Sequence, residues 1–104
     1  MGFNVSSYGQ VVRVNLMENI LSNSGLELII RPEVGPAHVI TEGVTVGEVD
    51  VVVGDEVFLA NEYIEYTTLD GDLDSAGLWQ KKATAKLAGA IRVSSRFVRF
   101  TVLD

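Results

Sequence analysis

The sequence predicts one all-β domain, a single immunoglobulin-like antiparallel β-sandwich of roughly seven or eight strands. Short segments in which apolar and polar residues alternate occur throughout the chain, turn residues recur about every ten positions, and no comparable stretch has a helical period. A chain of 104 residues, 47% of them hydrophobic, is long enough for one packed core. We divide it into an N-terminal arm, residues 1–8, and a sandwich domain, residues 9–104.

The first part of the chain contains two segments with clear strand alternation. Residues 10–16 and 25–31 place an apolar side chain at every second position, so one face of each predicted strand is buried. Residues 16–24 are interpreted as a loop, because their Asn and Ser residues disfavour a long helix. Two prolines and a glycine predict a turn over residues 32–36, and a short strand follows over residues 37–41.

The middle of the chain has a less regular pattern. The alternation over residues 44–53 changes phase at Gly47, which predicts either one bulged strand or two shorter strands. Residues 54–56 interrupt the pattern. The alternation resumes over residues 62–68, where another strand is predicted.

The end of the chain predicts a long hairpin. Strands are expected over residues 78–87 and 91–103, joined by the short connection of residues 88–90. At the start of this hairpin, residues 72–79 contain an acidic turn, then a glycine and then a large aromatic residue, Trp79. Sandwich domains use this arrangement to bring a ring into the core, so Trp79 is expected to be a core anchor.

Composition excludes several classes of function. The net charge is −6 and the isoelectric point is near 4.6, so we expect no nucleic-acid or membrane-surface partner. The absence of cysteine excludes disulfides, zinc–thiolate sites and thiol nucleophiles. Apolar runs stop after three residues, and the N-terminus lacks the features of a secretory signal.

Two features have the residue types of a chemical site. His38 is the single histidine, and no nearby serine or aspartate has the spacing of a catalytic triad. Asp70, Asp72 and Asp74 have the spacing of a calcium loop, but Ser75 and Lys81 stand where that loop needs glycine and glutamate. A polar turn is the simpler interpretation of these aspartates. We therefore expect no enzyme activity, no metal and no cofactor.

The candidate interaction residues form two groups. The N-terminal arm carries Phe3, Val5 and Tyr8, which could add a strand to the sheet edge of a neighbour. The final hairpin holds six of the eight basic residues, whereas residues 42–74 hold ten of the fourteen acidic ones. The basic group consists of Lys81, Lys82, Lys86, Arg92, Arg96 and Arg99. Contact between acidic and basic faces of neighbouring copies and a simply solvated hairpin are both compatible with this asymmetry.

Several segments resemble a family of small bacteriophage virion proteins. They are YGQVVRVN over residues 8–15, LELIIRP over residues 26–32, EYIEYTTLDGDLDSAGLW over residues 62–79 and RFVRFTVL over residues 96–103. They are similar to the amino-terminal domain of phage baseplate upper proteins and to its short single-domain relatives. Family members usually carry a Pro-Asp-Gly-Thr turn after the second strand, where this chain has PEVGP and a longer middle section.

The resemblance implies an immunoglobulin-like sandwich with a structural role. By that comparison the protein is a non-enzymatic adaptor that joins tail, neck or fibre components. Its partners are then other virion proteins, it is present in several copies, and it is located in the virion after assembly in the host cytoplasm. Two alternatives stay open: a capsid decoration (cement) protein, and a carbohydrate-binding module that stacks sugars on Trp79 or on tyrosines.

Overall fold

The computed structural model describes residues 3–4, 9–69, 71–87 and 91–103, with residues 3, 4 and 103 as backbone only. These residues form an all-β, sandwich-like fold, which confirms the predicted fold class, but with more and shorter strands than the seven or eight expected. No helix occurs in the described part of the chain, and therefore none that could cross a membrane. The strands are β1 Phe3–Asn4, β2 Val11–Asn15, β3 Gly25–Pro32, β4 His38–Ile40, β5 Thr45–Val46, β6 Val51–Val53, β7 Glu56–Phe58, β8 Tyr63–Thr67, β9 Gly77–Lys86, β10 Arg92–Ser94 and β11 Val98–Leu103.

The larger sheet is built around β9. Its order is β1-β11-β9-β3-β4, and β10 pairs with β9 on the same side as β11. Strand β3 pairs with β9 along eight residues, from Gly25 opposite Lys86 to Pro32 opposite Trp79. On the other side, β10 and β11 divide the length of β9 between them.

The predicted strand over residues 91–103 is therefore interrupted. Ser95 lies at the interruption, where its amide donates to the Ala83 carbonyl (2.9 Å) and its hydroxyl accepts from the Ala83 amide (3.0 Å). These two bonds keep the β9 backbone satisfied across the gap between β10 and β11.

The second sheet has the order β2-β8-β5, and β6 and β7 form a separate two-stranded hairpin. Alternating residues of the two sheets face each other, as the period of two requires. The fully buried members of the core include Val12, Val14, Leu28, Ile30, Ile64, Leu73, Trp79, Ala83, Ala85 and Val102. Leu16 and Ile20 are also buried, although residues 16–24 form the predicted loop rather than a regular element.

The phase change at Gly47 corresponds to two short strands, the second of the two predicted alternatives. The Tyr63 ring lies directly over Gly47: a Cβ atom on Gly47 would be 1.9 Å from the Tyr63 Cζ. Tyr63 is fully buried, and its hydroxyl donates to the Val49 carbonyl at 2.7 Å. The chain therefore leaves the β8 edge after Val46 and resumes a strand only at Val51.

The N-terminal arm is paired within its own chain where the structure describes it. Phe3 lies opposite Val102 and Asn4 opposite Leu103, in parallel with β11. That the arm could add a strand to the sheet edge of a neighbour stays a prediction. Val5 and Tyr8 lie outside the described residues.

Replacing Gly47 with Ala is expected to destabilise the protein by about 1–3 kcal/mol, because the new methyl group overlaps the buried Tyr63 ring. Urea unfolding gives the change in free energy. The matched control is Gly25→Ala, where a Cβ meets no atom within 4 Å, and its expected change is below about 0.5 kcal/mol. Equal effects of the two substitutions would contradict the close packing of Tyr63 on Gly47.

Candidate interaction surfaces

The outer face of the larger sheet carries a group of cations. Trp79, Ala83 and Ala85 are buried, so Gln80, Lys82 and the other even-numbered residues of β9 face away from the core. The registers of β3, β10 and β11 then place further residues on the same face. We call it the basic face and define it by Arg31, Lys82, Lys86, Arg92 and Arg99; Glu27 and Glu33 are the acidic residues on the same side.

An aromatic ring lies at the centre of the basic face. The Arg31 guanidinium carbon is 3.7 Å from the centroid of the Phe97 ring, and the Lys82 Nζ is 5.5 Å from it. Arg31 Nε also donates to Gln80 Oε1 at 2.8 Å. Stacking and hydrogen bonding together hold this guanidinium flat on the sheet.

The cations of the basic face have no acidic partner among the described residues. In the described part, Arg13 forms an ion pair with Glu65 at 2.9 Å, and His38 lies 3.8 Å from Asp74, a contact that is ionic only with a protonated imidazole. The first lies on the smaller sheet, where Arg13 is opposite Glu65 in the register. The positive charge of the basic face is therefore not neutralised by these pairs.

The structure does not bring all six predicted basic residues to one place. Lys82, Lys86, Arg92 and Arg99 belong to the basic face, and Arg96 is exposed in the connection between β10 and β11. Lys81 points to the opposite side of its sheet, where its Nζ is 5.9 Å from the Phe100 ring. Adjacent residues of a strand face opposite ways, so the two neighbouring lysines cannot serve one surface.

Lys81 contributes to a cleft of about 530 Å³ between the sheets, also lined by Arg13, Val53, Glu56 and Val98 among others. Burial lowers the pKa of Lys81, and the negative charge of Glu56 partly offsets this effect. The cleft lies on the core side of the larger sheet and extends to β11, where Arg99 of the basic face also lines it.

A second exposed surface is formed by residues 48–59, which we call the acidic hairpin. Val52 and Val57 are cross-strand partners and are 67% and 50% exposed. Val49 and Leu59 are exposed beside them. The acidic residues of the segment are Glu48, Asp50, Asp55 and Glu56, and no lysine or arginine occurs between Arg31 and Lys81.

The inner side of the acidic hairpin is anchored to the smaller sheet. Phe58 is buried, and its ring lies 5.4 Å from the Tyr63 ring. Asn15 Nδ2 donates to the Val57 carbonyl at 3.0 Å. The hairpin is thus fixed on one side and presents apolar side chains on the other.

The acidic hairpin was not recognised as a surface in the sequence, and neither was the part that Arg31 and Phe97 play in the basic face. The signal for the hairpin was the run Val51-Val52-Val53, which does not alternate although it is followed by a turn. Arg31 and Phe97 are 66 positions apart and meet only through the pairing of β3 with β9.

His38 has an acidic neighbour but no activated nucleophile among the described residues. Its Nε2 is 3.8 Å from Asp74 Oδ2, and its ring centroid is 5.8 Å from that of Trp79. Ser75 lines the same shallow pocket, and its carbonyl accepts a bond from the Trp79 indole at 2.9 Å. No described hydroxyl is hydrogen-bonded to His38, which is the contact that base activation of a serine requires.

The aromatic residues considered for sugar stacking are mostly in the core. Trp79 is 1% exposed and packs against Phe100, with ring centroids 6.2 Å apart. Tyr63, Tyr66 and Phe58 are also buried. These side chains offer no open ring face to a sugar, and Tyr8 lies outside the described residues.

The aspartates of the acidic turn have separate partners. Asp72 Oδ2 accepts bonds from the Tyr66 hydroxyl at 2.5 Å and from the Leu69 amide at 2.7 Å. Asp74 faces His38, and Asp70 lies outside the described residues. Asp72 thus acts as a cap for the turn, the simpler of the two interpretations. No group of three or more His, Cys, Asp or Glu that could hold a metal occurs in the described part.

Comparisons with known proteins gave no match to a family model, to a curated protein or to a solved structure. The resemblance to phage baseplate upper proteins therefore depends on the quoted sequence segments alone.

Replacing Tyr66 with Phe is expected to remove a pH dependence of stability in alkaline solution. Burial, reinforced by the hydrogen bond and charge of Asp72, raises the pKa of Tyr66 to about 12, whereas an unfolded tyrosine titrates near 10. Between about pH 10 and 12 the folded chain therefore binds more protons than the unfolded chain, and stability falls as pH rises. The Tyr66 contribution is fully present below that window.

The measurement is the free energy of unfolding of both proteins at about pH 8 and at steps above about pH 10. The wild-type protein is expected to lose stability more steeply, by at most about 1.4 kcal/mol per pH unit for this one group. At the lower pH, the substitution costs about 1 kcal/mol for the lost hydrogen bond. Identical slopes for the two proteins would contradict the shifted titration.

Proposed function

We propose that the protein is a non-enzymatic structural component of a bacteriophage particle, an adaptor that joins tail, neck or fibre proteins. The phage setting is supported by the resemblance of residues 62–79 and 96–103 to baseplate upper proteins. The adaptor role is carried by one observation: a single small domain exposes two surfaces of opposite charge, the basic face and the acidic hairpin, and each includes exposed apolar side chains.

Surfaces of this kind favour protein partners. Apolar side chains surrounded by charges of one sign are typical of interfaces, where the apolar atoms contribute affinity and the charges select the partner. The basic face also presents a stacked Arg31–Phe97 pair, and arginine and aromatic residues are enriched in interfaces. The net charge of −6 opposes long-range attraction to nucleic acid.

A binding role also agrees with what the remaining candidate residues do. Trp79 fills the core, Asp72 caps a turn, and His38 contacts Asp74 at the protein surface. Each of these side chains has a structural contact that accounts for its position. The basic face and the acidic hairpin, by contrast, expose charged and apolar side chains that no structural contact explains.

The protein is expected to be captured by isolated tail, neck or fibre proteins and not by assembled capsids. Sedimentation of the labelled protein with each of these samples measures the captured fraction. Neutralising the basic face with Lys82→Gln and Arg99→Gln is expected to weaken capture about tenfold, because complementary charge is lost at the contact.

The matched control is Leu21→Glu with Ser22→Glu. It changes the net charge by the same two units in the exposed loop that precedes β3 and is expected to leave capture unchanged. Capture by assembled capsids alone would contradict the adaptor role and indicate a capsid decoration protein. Absence of capture together with binding to host glycans would favour the carbohydrate-binding alternative instead.

A further inference from the structure

We propose that the acidic hairpin of one copy docks on the basic face of a second copy of this chain, so that copies associate head to tail. The inference deepens the proposed function by naming the partner of both surfaces, and it rests on that function for its setting in a particle. Its physical basis is the opposite charge of the two surfaces and the exposed apolar side chains of both.

The charges of the two surfaces are nearly balanced. Residues 48–59 carry four carboxylates and no cation, of which Glu56 faces the cleft that contains Lys81, whereas the basic face carries five cations and the carboxylates of Glu27 and Glu33. None of the five cations has an ion-pair partner among the described residues. Docking brings the carboxylates of the hairpin next to the cations of the basic face. This contact reduces the repulsion among the like charges of each surface.

The apolar residues of the two surfaces also match. The outward side of the hairpin exposes Val52, Val57 and Leu59. On the basic face, Leu78 is 47% exposed, and the ring of Phe97 is half-buried. Contact between these groups removes apolar area from water on both partners, which contributes about 25 cal/mol for each Å².

The two surfaces also differ in relief. The hairpin is narrow, with three residues in each strand. Two shallow depressions lie on the outer side of the larger sheet, one lined by Arg31, Glu33, Leu78 and Arg99 among others, the other by Glu27, Lys86 and Arg92 among others. Each depression thus has more cations than carboxylates along its border.

The acidic hairpin cannot dock on the basic face of its own chain. Its hairpin is fixed to the smaller sheet through the Asn15 bond to Val57 and the contact of Phe58 with Tyr63. The basic face points away from the core on the far side of the larger sheet. Because two different surfaces meet, the contact is heterologous, and repeated use produces a ring or a filament rather than a closed two-fold dimer.

Sedimentation velocity of the purified protein tests this proposal. At about 50 mM salt the wild-type protein is expected to form concentration-dependent oligomers, which dissociate at about 500 mM salt because the charges are screened. Two variants are expected to be monomeric on their own: Glu48→Lys with Asp55→Lys on the hairpin, and Lys82→Glu with Arg99→Glu on the basic face. The equimolar mixture of the two variants is expected to associate again.

The mixture is the decisive arm of the experiment. The first variant keeps the wild-type basic face, but its hairpin carries two lysines and two carboxylates. The second variant keeps the wild-type hairpin, but its face carries three cations and four carboxylates. The mixture contains one wild-type pair of surfaces, the hairpin of the second variant and the face of the first, which neither variant has alone. It is therefore expected to give a 1:1 complex that grows no further, because the other surface of each partner is altered, whereas non-specific aggregation has no such limit. The control Glu18→Lys with Glu42→Lys reverses two exposed carboxylates in loops outside both surfaces and is expected to associate like the wild type.

The apolar part of the contact has its own variant. Val52→Ser with Val57→Ser is expected to weaken self-association at least about tenfold while thermal melts report an intact fold, since both side chains are exposed. A wild-type protein that stays monomeric at low salt overturns the proposal. So does a mixture of two folded reversal variants that stays monomeric. Should a reversal variant fail to fold, the wild-type salt series decides alone.

Failure of this inference is distinguishable from failure of the proposed function. A wild-type protein that is captured by a tail, neck or fibre protein but is monomeric alone contradicts head-to-tail association and supports the adaptor role. A protein that oligomerises as described but is captured by none of these samples would support head-to-tail association and contradict the adaptor role.

Discussion

The period of two along β9 is the constraint on which the rest of the structure depends. This ten-residue strand is hydrogen-bonded to β3 on one side and to β10 and β11 on the other. Its odd-numbered residues include Trp79, Ala83 and Ala85 of the core, and its even-numbered residues include Lys82 of the basic face. A shift of one residue in the register would exchange the two sets, burying charge and exposing the core. The core and the basic face are therefore two results of one hydrogen-bonded register.

Lys81 shows what this constraint costs. Because Lys81 has an odd number, its side chain lies on the core side of β9. An ammonium group is poorly solvated there, so the pKa of Lys81 is lowered. The lysine is accommodated because the sandwich opens at this point into the cleft that also contains Arg13 and Glu56. Its Nζ lies 5.9 Å from the centroid of the Phe100 ring, which also lines the cleft. A cation on the inner face of a central strand is thus compatible with the fold only at the margin between the sheets.

The parts of the fold that the sequence predicted are those with long local periodicity. Strands β2 and β3 follow directly from alternation over five and eight residues. Strand β7 has only three residues, too few for a period to be recognised, and the interruption between β10 and β11 depends on Ser95 bonds to Ala83, across the sheet. The candidate surfaces were predicted only in part, because they too depend on contacts between residues that are distant in the sequence. Charge segregation is visible in the sequence, but the meeting of distant side chains depends on the strand register.

The edges of the larger sheet have a consequence for how copies can meet. One edge strand, β4, has three residues, and the other side ends in the two residues of β1, which cover the C-terminal end of β11. Long, open edges let identical chains join through their backbones without regard to side chains, which is the route to fibrillar aggregates. In the described part of the larger sheet, that route is confined to the three residues of β4 and to the four residues of β11 that β1 leaves uncovered. Recognition between copies then depends mainly on side-chain contacts, which distinguish a correct neighbour from an incorrect one.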